Sequence, residues 1–120
     1  MIKEATKITI SVDAIIMVEN QYPVSKNKEV LAAWLSGLEK YPRPEGLFTP
    51  LIETAVSSDL DGLRVLSAYL VNPGKYEEAA AYLQKFMTSF FDIQGYTYQF
   101  SNWSTIEEAM ESIGEKAPER

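Results

Sequence analysis

Residues 47–71 read LFTPLIETAVSSDLDGLRVLSAYLV, and the fold turns on how this stretch is divided. Two runs of β-favouring residues flank Asp61-Gly62, a dipeptide whose central positions can both take positive φ in a tight hairpin turn. Strands over 49–58 and 63–71 follow. Their apolar residues do not keep to one face. In the later strand Leu63, Val65, Tyr69 and Val71 share one side, while Leu66, Ala68 and Leu70 share the other. In the earlier one Ile52 and Val56 oppose Leu51 and Ala55. A sheet with only one covered face would alternate apolar and polar residues.

The flanking segments supply the other elements. Upstream, Ile8, Ile10, Val12, Ala14, Ile16 and Val18 recur with period two, which predicts an extended strand. Asp13 marks a bulge or a break, so the strand proper runs over 13–24, with 6–12 as an N-terminal strand extension. Ile15 and Met17 put apolar groups on the opposite side. In SKNKEVLAAWLSGLEKYPRP, Val30, Leu31, Trp34, Leu35 and Leu38 fall at helical spacing, with Ser25 or Asn27 as cap and Pro42 and Pro44 as stop. This predicts a helix over 27–40.

Downstream, NPGKYEEAAAYLQKFMTSFFDI carries Tyr76, Ala79, Ala80, Leu83, Phe86, Met87 and Phe90 as an apolar stripe, opened by a capping Asn72 and Pro73 in the first turn. GYTYQFSNW predicts a fourth strand. STIEEAMESI opens with Ser104 three residues before Glu107, a capping box, and places Ile106, Ala109, Met110 and Ile113 on one face. Residues 114–120 read as a frayed tail.

The order is strand, helix, strand, strand, helix, strand and short helix: a single α+β domain of the ferredoxin-like βαββαβ type, spanning 1–120, with an antiparallel sheet and two helices on one face. Helices cover one sheet face only. Leaving the apolar side chains of the other face in water would forgo on the order of 10 kcal/mol, and monomers rarely expose such a patch. A second copy related by a twofold axis covers it most simply. The expected assembly is a homodimer with sheets packed face to face.

VNPGKYEEAAAYL, at 71–83, and NWSTIEEAMES, at 102–112, join this topology in resembling the dimeric α+β barrel superfamily, which includes antibiotic-biosynthesis-monooxygenase-like domains. The resemblance spans roughly 13–113. It implies a sheet-to-sheet dimeric barrel and, as one function, a cofactor-independent monooxygenase or isomerase acting on a small organic substrate. The group often carries a histidine, and this chain has none, so its haem-degrading and histidine-dependent members are poor guides.

Composition narrows the chemistry further. Without histidine or cysteine the chain lacks the commonest general base, thiolate nucleophiles and the usual soft metal ligands. Neither a metal nor a cofactor is expected. Seventeen acidic against eleven basic residues, a net charge of -6, disfavour nucleic acid, and the basic residues do not cluster. LRVLSAYLV lacks the basic-glycine-aromatic signature of RNA-binding sheets. DLDG lacks the later oxygen ligands of a calcium loop. The N-terminus has no signal-peptide order and no apolar run approaches the ~20 residues of a membrane span, so the expectation is a cytoplasmic protein without a membrane partner.

The rings of FFDIQGYTYQFSNW serve as core or dimer contacts, with Tyr96, Tyr98 and Phe100 on one side and Thr97, Gln99, Ser101 and Trp103 on the other. Polar and aromatic residues on or beside strands are the candidate ligand-binding set: Glu19, Glu53, Arg64, Tyr69, Tyr98, Gln99 and Trp103. Those pointing into an enclosed space would need partners and could orient a small organic ligand, with Glu19 or Glu53 as a base. The leading functional expectation is a small homodimer that binds a small apolar or aromatic molecule between sheet and helices, or simply assembles. The cofactor-independent enzyme stands second, and a monomeric domain binding another protein through its sheet third.

Overall fold

The computed structural model describes residues 14–114. In chain order they form β1 (Ala14–Tyr22), a single 3-10 turn (Val24–Lys26), α1 (Asn27–Lys40), β2 (Phe48–Asp59), β3 (Gly62–Val71), α2 (Tyr76–Met87), a second 3-10 turn (Thr88–Phe90), β4 (Thr97–Ser104) and α3 (Ile106–Ser112). The fold is α+β. Its four strands make one antiparallel sheet in the order β2-β3-β1-β4. The expected extension at 6–12 and most of the expected tail, 115–120, lie outside the described residues.

The inner face of the sheet is set by the period-two register. Ile16, Val18 and Tyr22 of β1 lie beside Tyr69 and Val71 of β3 and Phe48 of β2, and all are buried. Ala79, Leu83 and Met87 of α2, with Phe90 just beyond it, close this core. Val30 is its one large buried contribution from α1.

Several local expectations are corrected. The hairpin loop is Leu60-Asp61, with Asp59 paired to Gly62. Only Gly62 takes positive φ, at 127°, while the Asp59 carboxylate accepts from the Asp61 amide at 2.8 Å and sets the turn. Gly62 is doubly required, because a Cβ there would lie 2.4 Å from the Tyr22 carbonyl oxygen. Neither Ser25 nor Asn27 caps α1: the 3-10 turn leads in, Lys26 holds the cap position, and the Asn27 side chain accepts from the Tyr22 hydroxyl. Asn72 does not cap α2, since Pro73 and Gly74 first make a turn and the helix starts at Tyr76. In α3 the cap falls one residue late, with Thr105 accepting from the Glu108 amide at 3.1 Å.

β2 departs most from simple alternation. Its pairing with β3 shifts between Pro50 and Ile52 and again between Ile52 and Ala55. Ile52 therefore lies opposite Ala68 on the outer face, as Ala55 does opposite Leu66, while Val56 lies opposite Val65 on the inner face. The sequence expectation had put Ile52 and Val56 together. Such shifts leave a residue out of the ladder and re-aim its side chain, and here they turn Glu53 and Thr54 toward the helices.

The outer face is graded along the strands. Cross-strand rows Trp103, Ile15, Leu70 and then Ser101, Met17, Ala68, Ile52 are mostly apolar. The next row brings Gln99, Glu19, Leu66 and Ala55 together, and the last, Thr97, Gln21, Arg64 and Ser57, is polar. Among the described residues no helix is long and apolar enough to cross a membrane.

Candidate functional site

Between the inner sheet face and the helices lies a cavity of about 230 Å³. Val18, Asn20 and Tyr22 of β1, Val65, Ser67 and Tyr69 of β3, and Glu53, Thr54 and Val56 of β2 form its floor. Tyr82, Leu83, Phe86 and Met87 of α2 form one wall, and Leu31, Trp34 and Leu38 of α1 lean over it. The cavity exists because α1 stands away from the sheet. Only Val30 and Gly37 of that helix are buried.

Aromatic rings bound the space. Ring contacts run from Tyr69 to Phe48 (centroids 4.7 Å apart), Phe48 to Tyr82 (6.1 Å), Tyr82 to Phe86 (6.3 Å), Phe86 to Phe90 (6.2 Å), Phe90 to Tyr96 (4.7 Å) and Tyr96 to Tyr22 (5.8 Å). The Phe90–Tyr96 planes are 7° apart, a stacked pair. Offset and tilted ring pairs at these separations each add stabilisation beyond the area they bury. The chain of rings curls round the cavity and gives it an apolar, polarizable wall.

Two polar groupings interrupt that wall. At one, the Tyr96 hydroxyl donates to Asn20 Oδ1, and Asn20 Nδ2 donates to the Val65 carbonyl at 3.4 Å. At the other, Arg43 Nη2 bonds Glu53 Oε2 at 3.0 Å, and its guanidinium lies 5.4 Å from the Phe48 ring centre and 5.8 Å from that of Tyr69. The Ser67 hydroxyl donates to the Glu53 carbonyl at 2.9 Å, occupying an acceptor that the shifted β2 ladder leaves out. The loop bearing Arg43 is tied down on both sides. Tyr82 donates to the Tyr41 carbonyl at 2.8 Å, and Asn72 donates through its side chain to Gly46 (2.8 Å) and through its backbone amide to Leu47 (2.9 Å).

Burial sets the protonation of the phenols. It pushes the Tyr96 hydroxyl well above its ordinary range, with Tyr22 and Tyr98 adding to the effect. Burial also raises Tyr69, against the opposing pull of Ser67 and Arg43, and raises Tyr82, against the pull of Arg43. Tyr22 rises by burial alone. These groups are neutral hydrogen-bond donors at physiological pH. Burial works against the Arg43 charge, yet the hydrogen bond and charge of Glu53 prevail and its pKa is raised.

Of the candidates named from the sequence, the cavity brings together Glu53 and Tyr69. Tyr98 faces the same side but stands at the β4 edge, where its hydroxyl donates to Gln84 at 3.2 Å and its ring stacks on Phe91. The remaining four are on the outer face. Gln99 donates to Glu19 at 3.3 Å, and Glu19 and Arg64 border a second depression of about 210 Å³. Trp103, 56% exposed, donates from its indole to Ser101 at 2.8 Å.

Sequence reasoning did not single out Asn20, Arg43, Ser67 or Tyr82 as site residues. Asn20 had a visible signal, since it occupies the next inward position after Ile16 and Val18. Arg43, between Pro42 and Pro44, had a weaker one in the stiffness of its loop.

No family model matches the chain, and no curated protein matches it. Among solved structures the chain is similar to the de novo designed protein Foldit4, at 4% identity over 78% of this chain and 98% of that one, with a TM-score of 0.54. It is also similar to a "putative monooxygenase" from Shewanella loihica PV-4, at 13% identity over 78% of this chain and 95% of that one, with a TM-score of 0.46. The first likeness speaks to fold alone, and the second is too distant to carry an argument.

Proposed function

We propose that this chain is a ferredoxin-like small-molecule-binding protein that pairs through the outer face of its sheet. Its ligand is a small, largely apolar molecule containing a ring, held between sheet and helices. The observation that carries the reading is the aromatic-walled cavity, a concave apolar site with a few convergent polar groups, which is the general anatomy of small-molecule pockets. The pairing is supported by the apolar rows of the outer face around Ile15, Leu70, Met17 and Ile52.

Calorimetric titration with naphthylmethanol, a neutral bicyclic probe, tests the ligand reading. A ligand of this size is expected to bind with a dissociation constant between about a millimolar and a few micromolar. Val65→Phe, which projects a ring into the floor, should abolish the heat while leaving the melting transition intact. Undiminished binding by the plugged variant, or none by the unaltered chain, would sink the proposal.

A cofactor-independent oxygenase or isomerase is the second reading, favoured by one observation: Glu53 is the carboxylate that lines the cavity among the described residues. To serve as base it must first leave Arg43. Turnover of a bound probe that is lost in Glu53→Gln is expected on this reading; absence of any turnover by the unaltered chain would remove it and leave the binding one.

A further inference from the structure

The two polar groupings of the cavity are not equivalent. Asn20 and Tyr96 satisfy each other and carry no charge. Arg43, by contrast, is the one cation lining the cavity among the described residues. Its fork of donors is engaged with Glu53 through a single Nη2–Oε2 contact at 3.0 Å, and the Glu53 side chain is 57% exposed. Ion pairs exposed to this degree contribute little and are exchanged readily. Released from Arg43, Glu53 returns to water without burying its charge. The guanidinium keeps its place over the Phe48 and Tyr69 rings, poised to meet a planar acceptor with two parallel bonds.

We infer that the ligand is an organic acid: its ring body fills the aromatic-walled cavity, and its carboxylate takes the place of the Glu53 side chain on Arg43. The inference rests on the small-molecule reading above and names the chemical class of the ligand. A monocarboxylate fits better than a phosphate ester, because among the described residues one guanidinium supplies the only positive charge at the cavity, and the chain as a whole carries a net charge of -6. Attraction is therefore local to Arg43 rather than a long-range steering effect. Glu53 acts as a stand-in that keeps the guanidinium paired while the cavity is empty.

The test compares naphthoate with naphthylmethanol, which share a ring system and differ in the charged group, by calorimetric titration of the full chain at neutral pH. The unaltered protein should bind naphthoate about tenfold more tightly than the alcohol, the lower end of what a charged hydrogen bond supplies. Arg43→Met should erase that preference, so that naphthoate and the alcohol bind this variant within about twofold of each other. Glu53→Gln should move naphthoate the other way, toward tighter binding, because it removes the competing carboxylate. A purely structural Arg43–Glu53 pair would not give opposite signs. Equal affinity for acid and alcohol, or an acid preference that persists in Arg43→Met, would overturn the inference while leaving the cavity as a neutral-ligand site. Failure of both probes to bind the unaltered chain would overturn the inference together with the reading it rests on.

Discussion

The two longer helices carry similar apolar stripes and meet opposite fates. α2 lies flush on the sheet, with Ala79 0% exposed and Leu83 and Met87 each 6% exposed. α1 buries only Val30 and Gly37 and leaves Leu35 57% exposed. Small side chains explain part of the difference. Ala79 and Ala80 let α2 settle close to the strands, whereas the close approach of α1 is to its neighbour: a Cβ on Gly37 would fall 2.8 Å from Ser89 Oγ and 3.2 Å from the Phe86 ring. α1 is thus fixed against the segment following α2, and its stripe overhangs the cavity. An amphipathic pattern declares that a face is apolar; it does not say whether that face meets a core or a void.

The sharpest way to break this contrast is truncation on each helix. Leu83→Ala should cost about 2–4 kcal/mol, the usual loss for a buried leucine, while Leu35→Ala should cost under about 1 kcal/mol. Equal losses in urea denaturation would mean that α1 is packed as firmly as α2. Next in size, Gly37→Leu should destabilise by about 1–3 kcal/mol through overcrowding at Phe86 and Ser89. If denaturation midpoints did not fall, the close approach would not be what positions α1.

A third apolar surface lies beyond both helices, on the outer face. Leu70→Lys, placed in the row with Ile15 and Trp103, should weaken self-association by more than about tenfold in sedimentation experiments, as expected for an unpaired charge at an apolar contact. Unchanged sedimentation would overturn the pairing proposed for that face.

The smallest effect concerns the dryness of the space under α1. Tyr69 and Tyr96 have their pKa values raised by burial, so in the folded state they keep their protons where unfolded tyrosines lose them. Their contribution is fully present below pH about 10, the ordinary tyrosine value, and is lost as pH rises beyond it toward the folded values. Tyr96→Phe should cost roughly 1 kcal/mol at neutral pH through the lost bond to Asn20 and should flatten the alkaline fall of the melting temperature. An alkaline limb identical to that of the unaltered chain would mean water reaches Tyr96 freely.

Much of the backbone was legible in the sequence because it rests on local periodicity. The strands predicted over 49–58 and 63–71 formed as Phe48–Asp59 and Gly62–Val71, and the helix predicted over 27–40 formed as Asn27–Lys40. The stripe on α2 also reads through, with Phe90 continuing it into the following turn. What escaped depends on relations between elements. The ladder shifts in β2 decide that Glu53 faces inward, and no alternation rule announces where a ladder shifts. The stand-off of α1 depends on Gly37, an ordinary glycine until Phe86 and Ser89 are placed beside it. Of the residues named for ligand contact, Tyr69 came from a face assignment that holds. Glu19, Arg64, Gln99 and Trp103 share the outer face; the sequence reading set Gln99 and Trp103 on the side opposite Tyr98 but did not say which side meets the helices.

The fastening of the loop at 41–47 bears on how selective the molecule can be. With Tyr82 gripping one end and Asn72 the other, the backbone that presents Arg43 has little freedom left to lose when a guest arrives. Less disorder is surrendered on complex formation, so a small guest can gain useful affinity. The same stiffness limits tolerance, because a guest of the wrong length cannot draw the guanidinium after it.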